Sequence, residues 1–424
     1  MKMSNFKEHF LGEVLQHIRS KEAKEVVYKE LSYHLKMSKS ELVTKGANEN
    51  EAEEKAIKQM GSPSELGTHF NKLYRPVFDW KLFGLFIIII FMGILPIINV
   101  HENYSENLLI KQMIYIVLGI IISMVVMLID YRKIKKLGWL FLIAALGLLL
   151  ALNFIPNLTL NGVSYIRIMG FTISGASLLP IFLVFWAFYL SKDKPKLIIV
   201  LGLYLISVFL FMRLPSFPDV FIFSMLVFIL FIFSSLSKRT IYTTIGVSFG
   251  LLLTTVSVFW FTTKEYQKVR LLAFLNPSEY QHSAGYMYLV LKDLRTAGGW
   301  FGNKNTPKNY VQELTTDMVF ANITYFNGWI ISGFLFTILS LLLYRLIVLS
   351  VQIKDRFGKQ LILGVCSLLS VQFVYNVGMI LGFLPIISMS LPFISYGLTP
   401  TVINSLLIGI VLSVYRRKNL VLNV

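Results

Sequence analysis

The chain has 424 residues, 55% of them hydrophobic and 15% charged, with a mean hydropathy of +0.66. So apolar a composition excludes an ordinary soluble or disordered protein and points to a helical membrane protein with several spans. The formal net charge of +17 does not call for nucleic acid as a partner, because Lys and Arg cluster in short loops between apolar runs, as in cytoplasmic loops; the single cysteine, Cys366, allows no intramolecular disulfide.

Residues 1–76 are polar and lack the apolar stretch of a cleavable signal, so none is expected. Val27, Leu31 and Leu35 recur at helical spacing between Lys and Glu, which predicts a small cytoplasmic helical domain. Gly61 ends one helix, and Ser62-Pro63-Ser64-Glu65 reads as a capping box opening the next. This segment resembles the short helical prefix (HAAS type) found ahead of some bacterial membrane permeases. The resemblance implies an interaction module without chemistry of its own.

From residue 77 to 424 about ten apolar runs are each long enough to cross a bilayer: 81–99, 108–129, 137–156, 175–191, 196–213, 218–235, 241–262, 318–349, 361–384 and 398–415. Alternate connections carry the positive charge: Arg132-Lys133-Ile134-Lys135-Lys136, Lys192 to Lys196, Lys238-Arg239, Lys354 to Lys359, and Arg416-Arg417-Lys418. These lie on one side with the N-terminal domain, so both termini are expected in the cytoplasm. The other side has short turns, a loop carrying Arg167, and one loop at 263–317. Its 55 residues are too many for a mere connection, so function is expected there.

Within that loop Glu313 and Asp317 stand four residues apart, on one face if the backbone is helical, just ahead of a long apolar run. A carboxylate at that depth is either functional or an interfacial side chain reaching for water. Lys264, Lys268, Arg270, Lys292, Arg295, Lys304 and Lys308 make the loop basic. They form either a solvated surface or a site for an anionic substrate, in which Arg270 and Arg295 offer planar forks to phosphate and Gly298 and Gly299 let backbone N–H groups approach an oxyanion. Cations beside one carboxylate suit a transfer in which the carboxylate takes a proton from an attacking hydroxyl and the cations stabilise a departing diphosphate. Near the C-terminus Gln372 and Asn376 lie one turn apart inside an apolar helix, as glue between helices or as part of a site. The stretch Leu391-Pro392-Phe393-Ile394-Ser395-Tyr396-Gly397 predicts a break in helix at membrane depth, tolerated where it lines a cavity or is buried in protein. The histidines are scattered and give no zinc spacing.

Gln372, Asn376, Gly378, Gly382, Leu384, Pro385, Leu391, Pro392, Ile394, Ser395, Tyr396 and Gly397 follow the order and spacing of the SEDS proteins of bacterial cell-wall synthesis (FtsW, RodA and SpoVE type), which the chain resembles over about residues 80–418. Arg270, Phe274, Asn276, Pro277, Gly285, Tyr286, Gly298, Gly299, Gly302, Glu313, Thr316, Asp317 and Phe320 fall onto the pattern of that family's large outer loop, and Asp130-Tyr131-Arg132 and Pro218-Asp219 onto earlier ones. The resemblance implies an all-α polytopic fold in the bacterial plasma membrane and a glycosyltransferase that polymerises lipid II, a polyprenyl-diphosphate-linked disaccharide-pentapeptide. It implies Asp317 as the essential aspartate, a class B penicillin-binding protein as partner, and contact with membrane lipid. Glu313 is expected to support Asp317 or to ligate a divalent metal such as Mg, and Arg270 and Arg295 to face the diphosphate. Gln372, Asn376, Ser395 and Tyr396 are expected to line the substrate site with Gly298 and Gly299. The chain departs from the pattern at Tyr165, Leu178, Ile181, Tyr325 and Ile387, where the family carries Arg, Glu or Lys or other polar groups. Two other readings stay open: a flippase for the lipid-linked precursor, and a catalytically silent scaffold that regulates wall synthesis.

Overall fold

The computed structural model describes residues 5–98, 102–156, 158–160, 163–168, 171–214, 216–262, 265–305 and 312–420. The chain forms two compact units, one comprising Met1–Asp79 together with Tyr415–Val424, the other Trp80–Val414.

The first unit contains α1 (Asn5–Gln16), α2 (Lys21–Thr44), α3 (Glu49–Met60) and α4 (Pro63–Leu73). Ser20 starts α2 as its N-cap, its hydroxyl accepting the Ala23 N–H at 3.4 Å. Val27, Leu31 and Leu35 are buried against Leu11, Val14 and Ile18 of the α1 side and Ala56 of α3. Ser62 does sit at the N-cap of α4 with Pro63 in the first turn, but the expected capping box does not close. The Ser62 hydroxyl pairs with Ser64 Oγ at 2.9 Å and caps no backbone N–H.

The C-terminal residues complete this unit. Leu420 belongs to its core, the Val77 N–H donates to the Arg416 carbonyl at 3.2 Å, and Arg417, whose side chain has 0% exposure, places Nη2 2.6 Å from Glu22 Oε1. A guanidinium out of reach of water needs a carboxylate, so this pair fixes the tail on α2. We expect Glu22→Ala to destabilise the unit by about 2 kcal/mol, below the usual figure for a buried pair because Glu22 is itself 29% exposed. Limited proteolysis checks this: unchanged cleavage within residues 5–79 would refute the role of the pair.

The second unit begins with α5 (Trp80–Met92), α6 (Leu95–Ile98), α7 (Glu102–Leu128), α8 (Tyr131–Lys135) and α9 (Gly138–Phe154). Then come β1 (Leu158–Leu160), β2 (Val163–Ile168) and β3 (Phe171–Ile173), followed by α10 (Leu179–Leu190), α11 (Leu197–Arg213), α12 (Phe217–Ile232) and α13 (Lys238–Thr262). The large loop holds α14 (Glu265–Leu275) and α15 (Tyr286–Ala297), and α16 (Val319–Gln352), α17 (Arg356–Leu381) and α18 (Leu398–Arg416) close the unit. Trp80–Ile98, Asn107–Leu128, Val319–Gln352, Arg356–Leu381 and Leu398–Arg416 are long and apolar enough to cross a membrane, and Gly138–Phe154, Ala176–Leu190, Leu197–Arg213 and Phe217–Ile232 are shorter apolar helices. Every apolar run read from the sequence therefore carries helix, and the protein is a multi-pass membrane protein.

Helix α17 packs against α10, α12 and α16. Its Gly364 allows this, because a Cβ there would meet Leu183 Cδ1 at 2.1 Å, and its buried polar groups bond carbonyls of neighbours: Gln360 Nε2 to Phe233 O at 2.7 Å and Ser367 Oγ to Met225 O at 3.3 Å. The Asp130-Tyr131-Arg132 motif has a local explanation. Asp130 caps α8 through the Arg132 N–H at 3.0 Å and pairs with the Arg132 guanidinium at 3.0 Å.

Two features of the second unit also differ from the sequence reading. The loop carrying Arg167 is a three-stranded antiparallel sheet, ordered β1-β2-β3, with Leu158 opposite Tyr165 and Ile166 opposite Ile173. Its central strand, Val-Ser-Tyr-Ile-Arg-Ile, has the β-branched and aromatic residues that favour a pleated ribbon. The second is α16, which is not one straight span. At Gly328 (φ 78°, ψ 175°) it breaks into a short segment, 319–327, and a long one.

Candidate active site

Asp317 sits between a 3-10 turn, Gln312–Thr315, and the start of α16. The turn is closed by the Glu313 carbonyl, which accepts from the N–H groups of Thr316 and Met318, both at 3.0 Å. Three successive carbonyls of this segment are then held from the C-terminal region. Thr315 O accepts the Tyr396 N–H at 2.9 Å, Thr316 O the Ser395 hydroxyl at 2.6 Å, and Asp317 O the Asn376 Nδ2 at 2.7 Å. Asn376 is fully buried on α17 and its Nδ2 also reaches Met389 O at 2.5 Å. Ser395 in turn accepts the Leu391 N–H at 2.8 Å, which stabilises the helix break. Phe393 within it has φ 67°, left-handed and strained for an aromatic residue. The predicted break is thus buried in protein and serves as the bracket for Asp317.

The Asp317 side chain is half-buried, and burial pushes its carboxyl above the usual carboxylate range. A hydrogen bond from the Ser388 hydroxyl acts in the opposite sense, and the Glu313 carboxylate adds a smaller upward push. Tyr165, from β2, is also here: its phenol is raised by burial first and then by the charges of Asp219 and Asp317. Asp219, 6% exposed, is a structural group. It accepts from the Ala176 N–H and the Ser216 hydroxyl, and a Cβ on Gly175 would lie 2.3 Å from its Oδ2. The Tyr396 ring lies 6.0 Å from that of Tyr115, and burial with that neighbour pushes its phenol up to about 12.

The predicted site residues do not all converge. Glu313 is exposed, one turn from Asp317, and among the described residues no group of three His, Cys, Asp or Glu forms a metal-binding set. Gln372 is buried one turn before Asn376. Arg270 is exposed on α14. Arg295 is engaged elsewhere: its Nη1 donates to the carbonyls of Ile380, at 3.3 Å, and Leu381, the last turn of α17. Open carbonyls at a helix end attract a cation, so the guanidinium expected to face diphosphate caps a helix.

The glycines also have another use than anion binding. A Cβ on Gly298 would lie 2.1 Å from Thr324 O, and one on Gly302 (φ 91°) 2.1 Å from Phe326 O. Their backbone lies directly on α16, where Trp329 and Ile330, left without helical acceptors by the Gly328 break, donate to Gly299 O at 3.0 Å and Trp300 O at 3.3 Å. Gly299 (φ 55°) is exposed with open space at its Cβ position. Lys264 and Lys308 lie outside the described residues.

Comparison with known proteins places this arrangement. The FtsW/RodA/SpoVE model, described as cell cycle protein, matches residues 73–420. The probable peptidoglycan glycosyltransferase FtsW of Saccharophagus degradans is 27% identical over 371 residues, covering 81% of this chain and 93% of that protein. The stage V sporulation protein E of Bacillus subtilis is 28% identical over 155 residues, 36% of this chain and 42% of that protein. Among solved structures, a chain of a peptidoglycan synthase complex superposes with a TM-score of 0.70 at 22% identity, and Thermus thermophilus RodA with 0.60 at 21%, each over 81% of this chain and 98% of the other. These likenesses show a shared fold, and the family match spans the whole membrane unit and the Asp317 bracket. The chain therefore belongs to the FtsW/RodA/SpoVE family of cell cycle proteins.

Proposed function

We propose that the protein is a peptidoglycan glycosyltransferase that joins lipid II units into glycan strands, with Asp317 as general base. The observation that carries this reading is the fixing of one half-buried carboxylate by hydrogen bonds to three consecutive backbone carbonyls. So much of the bracket serves to aim a single side chain that can accept a proton. In the reaction the acceptor hydroxyl oxygen forms a bond to the anomeric carbon of the donor sugar, the bond from that carbon to the diphosphate breaks, and the hydroxyl proton passes to Asp317. Polyprenyl diphosphate leaves with the bonding electrons, and Arg270, exposed on α14, is our candidate for a cation that meets it. Glu313 and Asp317 offer the one or two carboxylates that Mg takes alongside substrate phosphates, where the ion would offset charge on the leaving group.

The charge of the alternate loops supports cytoplasmic termini with the large loop on the opposite face of the plasma membrane, where a class B penicillin-binding protein would be the crosslinking partner. The test is glycan-strand formation from lipid II by the purified protein, alone and with such a partner. Polymer is expected. Its absence in both conditions, from folded protein, would refute the reading.

The electrostatics give a pH signature. A base with a raised pKa loses activity as pH falls through that value. Ser388→Ala removes a bond that favours the charged carboxylate, so the acid limb of kcat/KM moves to higher pH. Glu313→Gln removes a like charge, so the limb moves to lower pH. Shifts in the same direction in both variants would exclude Asp317 as the titrating base.

A further inference from the structure

The turn at 298–302 leaves an observation that the bracket does not use. Its backbone lies flat on the α16 break through Gly298 and Gly302, while Trp300 and Phe301 between them point away, 72% and 86% exposed. Phe301 is the most exposed large apolar side chain of the described residues. Positive φ at Gly299 and Gly302, the bonds of Gly299 and Trp300 carbonyls to Trp329 and Ile330, and the Asn303 N–H to Tyr325 O bond at 2.7 Å make this presentation rigid. A rigid pair of bare aromatic rings in water forgoes the burial that so much apolar surface favours.

The occupant follows from what the turn is bonded to. Ile330 and Phe334, one helical turn apart at the start of the long segment of α16, are 50% and 54% exposed. They belong to the apolar span Val319–Gln352, whose exposed face meets lipid. Trp300 is bonded through its carbonyl to Ile330 itself, so the two aromatic rings lie at the level where that lipid-facing stripe begins. The exposed Lys304 follows in sequence. Tryptophan at the boundary between headgroups and acyl chains, with a lysine reaching to the headgroups, is the arrangement that a bilayer interface favours.

We propose that the 298–302 turn is a membrane-depth anchor: Trp300 and Phe301 insert among the lipids at the boundary of headgroups and acyl chains, and the turn's bonds to the α16 break set the height of Asp317 relative to that boundary. The short segment 319–327 that joins the two is about 13 Å of helix. The proposal deepens the glycosyltransferase reading, because a polyprenyl-linked substrate presents its diphosphate at the same boundary. An enzyme that fixes its own depth there meets the scissile bond without a search along the membrane normal.

The protein suits a direct test because Cys366 is its single cysteine and is buried. In a Cys366→Ser background, a nitroxide label at Phe301→Cys is compared with labels at Phe334→Cys and at Lys292→Cys, in bilayers of phosphatidylethanolamine and phosphatidylglycerol. The expected result is access to oxygen over a water-soluble nickel chelate resembling that of the Phe334 label and several-fold above that of the Lys292 label. Access dominated by the nickel chelate would overturn the anchor, and so would low access to both reagents, which means that protein covers the turn. Quenching by brominated lipids needs no cysteine: the wild type should lose more fluorescence than Trp300→Phe, and equal fractional quenching would also overturn the proposal. Lipid-buried labels without any polymer from the wild type would sink the glycosyltransferase reading and leave the anchor standing. Polymer together with an aqueous label would do the reverse.

Discussion

Asp317→Asn should leave a folded protein whose rate of glycan-strand formation is reduced by at least about 10²-fold, the lower bound for loss of a positioned general base. The substitution changes one oxygen to an NH₂ group and leaves volume nearly constant. The bracket holds this segment by its backbone, through the carbonyls of Thr315, Thr316 and Asp317, so it survives the change. The new side chain can still accept from Ser388 but cannot take up a proton. The loss should therefore fall on kcat, with KM for lipid II little altered. Turnover within a few-fold of wild type, from protein with an unchanged melting temperature, would remove Asp317 from the chemistry and favour the scaffold reading. The departures at Tyr165, Leu178 and Ile181 give that alternative its force. Tyr165 in its place is a half-buried phenol whose pKa burial raises first and the charges of Asp219 and Asp317 raise further.

What the sequence discloses and what it hides separate by the range of the interaction. Apolar runs encode spans locally, so every expected span carries helix, and the spacing of Gln372, Asn376, Ser395 and Tyr396 marks a connected region because three of the four touch one segment. Asp317 stood out as a carboxylate ahead of an apolar run. Other roles depend on partners far along the chain. Arg295 looked like a phosphate cation because nothing near it in sequence shows that it ends beside Ile380 and Leu381. Gly298 and Gly299 read as an oxyanion cradle, yet at Gly298, as at Gly302, the lack of a side chain serves backbone packing on α16, and which use applies depends on what the fold brings there. Ser388 is an ordinary serine until the loop after α17 brings it to Asp317. Arg417 reads as part of the charge cluster that follows the last span, and only a fold that returns it, with Leu420, to the α1 and α2 side makes the tail part of the N-terminal unit.

Asn376→Leu should be the most damaging change at the site that leaves every titratable group in place. Its Nδ2 is shared by Asp317 O and Met389 O, and leucine has a similar volume, so no large cavity forms while both carbonyls lose a donor. An unsatisfied buried polar group costs about 1–3 kcal/mol, and two of them should lower stability by about 2–6 kcal/mol. Asn376 Oδ1 has no partner among the described residues, so its loss does not add to this. The larger consequence is positional. With the Asn376 bond gone, the Asp317 backbone keeps only the neighbouring bonds from Ser395 and Tyr396, and a displacement of about 1 Å in a catalytic group is enough for a rate loss near 10²-fold. Ser395→Ala, which removes the single bond to Thr316 O and the acceptor for Leu391 N–H, should lose less activity because Asp317 itself stays tied to α17. The comparison is made on kcat at saturating lipid II below the melting point of each variant. A kcat for Asn376→Leu equal to that of wild type would show that Asp317 finds its position without α17. The resemblance of the Gln372-to-Gly397 stretch to the family pattern would then reflect helix packing rather than the aim of the base.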